Sequence, residues 1–265
     1  GVDLLMEFLE SFTGLHLPWW GWSVVLLSGA GVAFGKAAVP GSGILIVTLL
    51  ATVLPSRMST AVMVPLVIAG DFFAAKEYWR YADRRELAVL VPSGLLGLGV
   101  GYLILRCTTD AQLKPMIGWL VLVMLAIQQI TAFLAKRGGR NKRTEGPREN
   151  PWIISAFGVL AGTATGMANA SGPILGMYLL WSRREKLPYL GVTACLYVLL
   201  DLLKIPMHLS LGTLTVQSLK VGLVALPSLF PGLLLSFWVV RRFSQDSFRK
   251  AVLFFTLLAT MNLLL

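Results

Sequence analysis

Uncharged apolar runs of spanning length recur along the whole of this 265-residue chain, and they limit the folds open to it more than any other feature. Leu17 to Gly35, Ala37 to Ser56, Leu87 to Leu105, Pro115 to Ala135 and Val221 to Val240 each approach the roughly 20 helical residues that cross hydrocarbon. Met58 to Ala75 and Pro188 to Leu211 are similar but carry internal charges, Asp71 in one and Asp201 with Lys204 in the other. Pro151 to Ser182 is uncharged for 32 residues, too long for one span, and "GMANASGP" near its middle predicts a broken hairpin. Ala251 to Leu265 completes about ten segments. Strand alternation is absent, and in lipid backbone polar groups must be satisfied within the segment, so the segments are expected to be helices. Only 14% of residues are charged, against roughly 25% in soluble domains, which agrees with an all-α integral membrane protein.

The formal charge of +10 does not point to nucleic acid, because the basic residues sit in blocks between apolar runs. Counting connections from the N-terminus, the odd ones hold Lys36, the Lys76 to Arg85 group, the Lys136 to Arg148 group, Arg183 to Lys186, and Arg241 to Lys250. The even ones hold only Arg57, Arg106, Lys114, Lys204 and Lys220. The positive-inside rule therefore predicts cytoplasmic odd connections and both termini outside, periplasmic in a bacterial inner membrane. Leu4, Leu5, Phe8, Leu9 and Phe12 recur at helical spacing and predict an outer interfacial helix within residues 1–17. Asp3, Glu7 and Glu10 there speak against a cleavable basic leader. Trp19, Trp20, Trp22, Trp152 and Trp181 are expected to anchor at the interfaces. The two cysteines, Cys107 and Cys195, form neither a metal motif nor a disulfide framework, and no cofactor or metal is expected.

The two halves echo one another in order. Ser42 and Gly43 match Ser171 and Gly172, Asp71 matches Asp201, "VPSGLLG" matches "LPSLFPG", and Arg106 and Lys114 match Arg241 and Arg249. With five segments per half, an odd number, the second copy enters from the opposite side. The expected organisation is a first transmembrane repeat over 18–135, a basic cytoplasmic linker over 136–150, and a second, inverted repeat over 151–265. Broken or re-entrant helices are expected at the glycine-rich hairpins.

Those hairpins, "GKAAVPGSGIL" and "GMANASGPIL", are the candidate binding site, since interrupted helices in matching positions of two halves aim free N–H groups at a solute. Such N–H groups favour an anion. The candidate substrate residues are Lys36, Pro40, Gly41, Ser42, Gly43, Asn169, Ala170, Ser171, Gly172 and Lys204. The glycines also suit plain helix packing, and Asn169 and Ser171 suit helix caps. Asp71, Asp201 and His208 are the candidate coupling or gating groups, because intramembrane carboxylates are costly and a histidine can relay protons. The i, i+3 spacing of Asp201 and Lys204 also predicts an ordinary ion pair, while Asp71 has Lys76 only at longer reach.

In these residues, taken in order with "IAGDFFAAKEYWRYAD", "DLLKIP" and "FRKAVLF", the chain resembles the sulfite exporter TauE/SafE family from about Gly29 to Leu265. Ser42, Ser171 and Asp201 depart from what the family often has there. The resemblance implies a secondary transporter of sulfite, an organosulfonate such as sulfoacetate, or a related small anion, in the bacterial inner membrane. Export of an anion gains about 2.3 kcal/mol per 100 mV and could run uncoupled, whereas uptake needs a co-transported proton or sodium ion, for which Asp71 is the candidate. An anion channel and a cation-coupled uptake permease are the alternatives. A membrane-embedded enzyme lacks a nucleophile with a base or a metal cluster. A homodimer is compatible with the sequence.

Overall fold

The computed structural model describes residues 2–38, 45–46, 49–50, 52–54, 56–107, 119, 149–168, 171–212 and 214–264. Ten helices of eight or more residues are described: α1 Val2–Thr13, α2 Trp19–Ala37, α3 Ser56–Tyr78, α4 Arg84–Cys107, α5 Pro151–Ala168, α6 Ser171–Ser182, α7 Lys186–Ser210, α8 Val216–Ala225, α9 Leu229–Arg242 and α10 Gln245–Leu264. No strand occurs among the described residues. Three stretches are long and apolar enough to cross a membrane, Arg84–Ile104, Lys186–Ser210 and Val216–Arg242. The last joins α8 to α9 through a single 3-10 turn, Leu226–Ser228. Large apolar side chains such as Leu96, Leu103, Leu234 and Trp238 stand exposed on these helices, a surface that suits lipid and would not suit water.

Small residues set how closely the helices pack. Along α4 and α5 a Cβ placed on Gly97, Gly101, Gly158, Gly162 or Gly166 would overlap atoms of the facing helix, mostly its backbone. Contacts step from Ser93 with Gly158, through Leu98 with Gly162, to Tyr102 with Gly166, so these two helices run parallel. The spacing Gly158, Gly162, Gly166 is the small-xxx-small pattern that lets helix backbones meet in membranes. A second parallel seam joins α2 to α9, where Gly29 meets Ala225 and Ser228, and Gly232 meets Ala30. Ser236 Oγ donates to Gly232 O at 2.6 Å and to Ala33 O at 3.4 Å along that seam. By contrast α3 and α7 are antiparallel, with Gly191 against Tyr78 and Ala82 while Asp71 and Asp201 meet further along.

One end of the bundle is tied by a knot of ion pairs around the α6–α7 connection. Arg184 bridges Asp83 and Glu86 at 3.2 Å and Glu149 at 3.5 Å, and Tyr178 donates to Glu86. Its carbonyl accepts from Gln245 Nε2 at 3.0 Å and from Arg249 at 3.3 Å. Lys186 Nζ donates to Val240 O and Phe243 O, at 2.7 and 2.6 Å, satisfying carbonyls at the end of α9. At the opposite end α1 leaves Leu4, Leu5 and Phe8 exposed, buries Leu9, and docks beside α8, where Gln217 Nε2 donates to Gly14 O at 3.2 Å.

Two expectations change here. Trp22 is 3% exposed and belongs to the core, whereas Trp19, Trp20 and Trp152 are exposed in the manner of interfacial anchors. Trp181 stacks with Phe157 and Tyr178 inside the bundle. The run Pro115 to Ala135 and the linker through Arg148 lie outside the described residues, except Trp119.

Candidate functional site

Four charged side chains from three helices meet in the interior. Lys36, in the last turn of α2, places Nζ 2.9 Å from Asp71 Oδ1 and 3.0 Å from Oδ2 on α3. The same ammonium lies 2.5 Å from Asp201 Oδ2 on α7. Asp201 Oδ1 in turn pairs with Lys204, one turn along the same helix. Asp71, Asp201 and Lys204 are between 1% and 3% exposed, and the Lys36 side chain is 15% exposed. Their formal charges cancel, which is what allows such groups to be buried at all: an unpaired ion costs several kcal/mol after relaxation, by order of magnitude.

The cluster sits deep in the bundle. Phe73, two residues after Asp71, packs edge-on against Phe230, close to the centre of the Val216–Arg242 span. Asp201 lies nine residues before the end of α7, about 13 Å at 1.5 Å per residue. Lys36 serves both carboxylates; among the described residues it is the one cation paired with Asp71, while Asp201 has Lys36 and Lys204.

Tyr197 completes the cluster. It precedes Asp201 by four residues, so both occupy one face of α7, and its ring centroid lies 3.8 Å from Lys36 Nζ. Ser171, the first residue of α6 and 3% exposed, donates from Oγ to the Tyr197 hydroxyl at 3.3 Å. The start of α6 is thereby brought beside the charges, with Gly172 in its first turn. At 12 residues, α6 is about 18 Å long, short of a full crossing.

Of the residues singled out from sequence, Lys36, Asp71, Asp201 and Lys204 converge, and Ser171 joins them through Tyr197. His208 lies one turn beyond Lys204 on the same side of α7, half-buried. Pro40, Gly41, Ser42, Gly43, Asn169 and Ala170 lie outside the described residues. Asp71 finds its cation on another helix, not at Lys76, because Lys36 is carried to it by the packing of α2 on α3 beside Gly70. Sequence reasoning passed over Tyr197; its i, i+4 register with Asp201 was the available signal.

A cavity of about 380 Å³ opens between α3 and the α8–α9 span, lined by Ala69, Phe73, Leu223, Leu226, Pro227, Leu229 and Phe230. That lining is wholly apolar side chain and offers an anion nothing. Among the described residues no group of three or more His, Cys, Asp or Glu side chains is arranged to share a metal.

Comparison with known proteins gives one informative result. A family model described as sulfite exporter TauE/SafE matches residues 25–263, nearly the whole chain and every residue of the cluster. No curated protein and no solved structure gives a significant match.

Proposed function

Because the chain belongs to the sulfite exporter TauE/SafE family, a family of membrane transporters, we propose that it moves sulfite or an organosulfonate such as sulfoacetate out across the bacterial inner membrane by alternating access. The observation that carries this reading is the neutral Lys36, Asp71, Asp201, Lys204 cluster, buried in the bundle next to the start of α6. Intramembrane ions are expensive, and where they persist they mark ion and substrate paths. The cargo anion takes Lys36 as its counter-ion and the backbone N–H groups of Ser171 and Gly172, in the first turn of α6, as further donors. Lys204 holds Asp201 in place meanwhile.

Charge balance says what else must happen. An anion added to a neutral buried cluster leaves one negative charge uncompensated. A proton on Asp71, the carboxylate paired with Lys36, removes that charge and releases Lys36 to the cargo. A monoanion and its proton then move as a neutral complex, so the cargo gradient and the pH difference together, and not the membrane potential, set the direction. His208, on the same face as Asp201 and Lys204, offers a step for the proton toward the end of α7.

The parallel course of α4 with α5 and of α2 with α9 supports two inverted halves, 18–135 and 151–265, since an odd number of crossings per half puts these pairs in register. The test is flux of radiolabelled sulfite and sulfoacetate into liposomes holding the purified protein. Saturable flux that disappears in Lys36→Ala and Lys204→Ala is expected. Flux at wild-type rates in both variants removes the cluster from the mechanism.

A further inference from the structure

Tyr197 is 5% exposed and touches two parts of the cluster at once, yet neither of its contacts uses the proton of its own hydroxyl. The oxygen accepts from Ser171 at 3.3 Å, and among the described residues nothing accepts from the phenol in return. A buried donor left unspent is costly in apolar surroundings and is commonly completed by a ligand or ordered water. Here the donor stands at the first residue of α6, beside the ammonium assigned to the cargo.

The ring has a second consequence. Among the described residues the Lys36 ammonium has three partners, the Asp71 carboxylate, the Asp201 carboxylate and the Tyr197 ring face. When cargo replaces Asp71 as its partner, the ring is a contact that does not change, and a desolvated ammonium is attracted to the negative face of an aromatic ring.

We propose that Tyr197 is itself a cargo-binding residue, its phenolic O–H donating to an oxygen of the anion while its ring holds the Lys36 ammonium in position. This rests on the cluster being the cargo site. The two contributions separate by mutation, since Tyr197→Phe keeps the ring and loses the donor, and Tyr197→Leu loses both.

The experiment measures initial rates of sulfite and sulfoacetate flux in liposomes, together with thermal stability of each variant. Tyr197→Phe should raise KM about tenfold or more, the worth of one hydrogen bond to a charged group, with Vmax within about twofold of wild type. Tyr197→Leu should raise KM further. Wild-type KM in Tyr197→Phe overturns the proposal, as does a joint fall of Vmax and melting temperature at unchanged KM, the signature of a structural tether. An ultraviolet difference spectrum on adding sulfite to the wild-type protein gives a reading that does not depend on folding of the variants. A tyrosine perturbation is expected, and its absence also overturns the proposal. If wild-type protein moves neither anion, the functional reading itself fails; if it moves them and the Tyr197 variants match it, only the role of Tyr197 fails.

Discussion

Among the described residues the Lys36 ammonium is the one cation that both buried carboxylates share, so its removal leaves one described lysine, Lys204, against Asp71 and Asp201. Lys36→Met should therefore lower stability by about 3 to 5 kcal/mol, the range for breaking a buried pair by deleting one partner. Lys36→Met with Asp71→Asn restores the balance of charge and should recover much of that loss while transport stays absent. Thermal unfolding and liposome flux on the same preparations check both statements; equal melting points for the single and double variants contradict the electrostatic account. Wild-type flux should rise as pH falls, through the proton on Asp71, and Asp71→Asn should abolish that dependence; a pH profile unchanged in the variant removes its coupling role. All four charges were legible in the chain, Asp71, Asp201 and Lys204 because they interrupt long apolar runs, and Lys36 because it abuts a glycine and proline break. Their partnership was not, since the residue nearest Asp71 in sequence, Lys76, is not its partner in space.

At the scale of the element, the α4–α5 seam is held by the absence of side chains. A methyl on Gly162 would overlap the Gly94 carbonyl, so Gly162→Ala should cost about 1 to 3 kcal/mol, the usual penalty of forcing volume into a packed contact. Gly99, on α4 but with nothing within 4 Å of where its Cβ would stand, gives the control. Gly99→Ala should be neutral or stabilising by up to about 1 kcal/mol through helix propensity alone. Chemical or thermal unfolding of the pair separates packing from propensity. The ion pairs around Arg184 make a similar case: Arg184→Ala leaves the Glu86 carboxylate, 3% exposed, without its guanidinium and with the Tyr178 hydroxyl as donor, and the loss should exceed that of Arg241→Ala, whose pairing with Glu77 at 3.2 Å is exposed. The glycine spacing could be read in advance as close packing of some helix on another. Which helix met which could not, because small-xxx-small patterns specify a surface and leave its partner open.

For the whole molecule, the ion pairs around Arg184 and the contacts of α1 with α8 define opposite ends. By the positive-inside rule the distribution of basic residues predicts that the Arg184 end faces the cytoplasm. Cysteines introduced at Arg80 and Asp246, in a Cys107→Ser background, should react with a membrane-impermeant thiol reagent from the inside only, and one at Gly212 from the outside only. Labelling of all three from one side contradicts the alternation of directions. Length, hydropathy and the placement of charge determined that this chain is a helical membrane protein, roughly where its segments lie, and which residues were too costly to be idle, because each of those follows from the free energy of taking a group out of water. Only the tertiary structure decided that Lys36, Asp71, Asp201 and Lys204 form one neutral cluster with Tyr197 against it. Burial penalties are local and can be summed along a sequence, whereas pairing depends on which helices come within a few ångströms of each other, and the glycine seams that settle this have no preferred partner until the helices are packed.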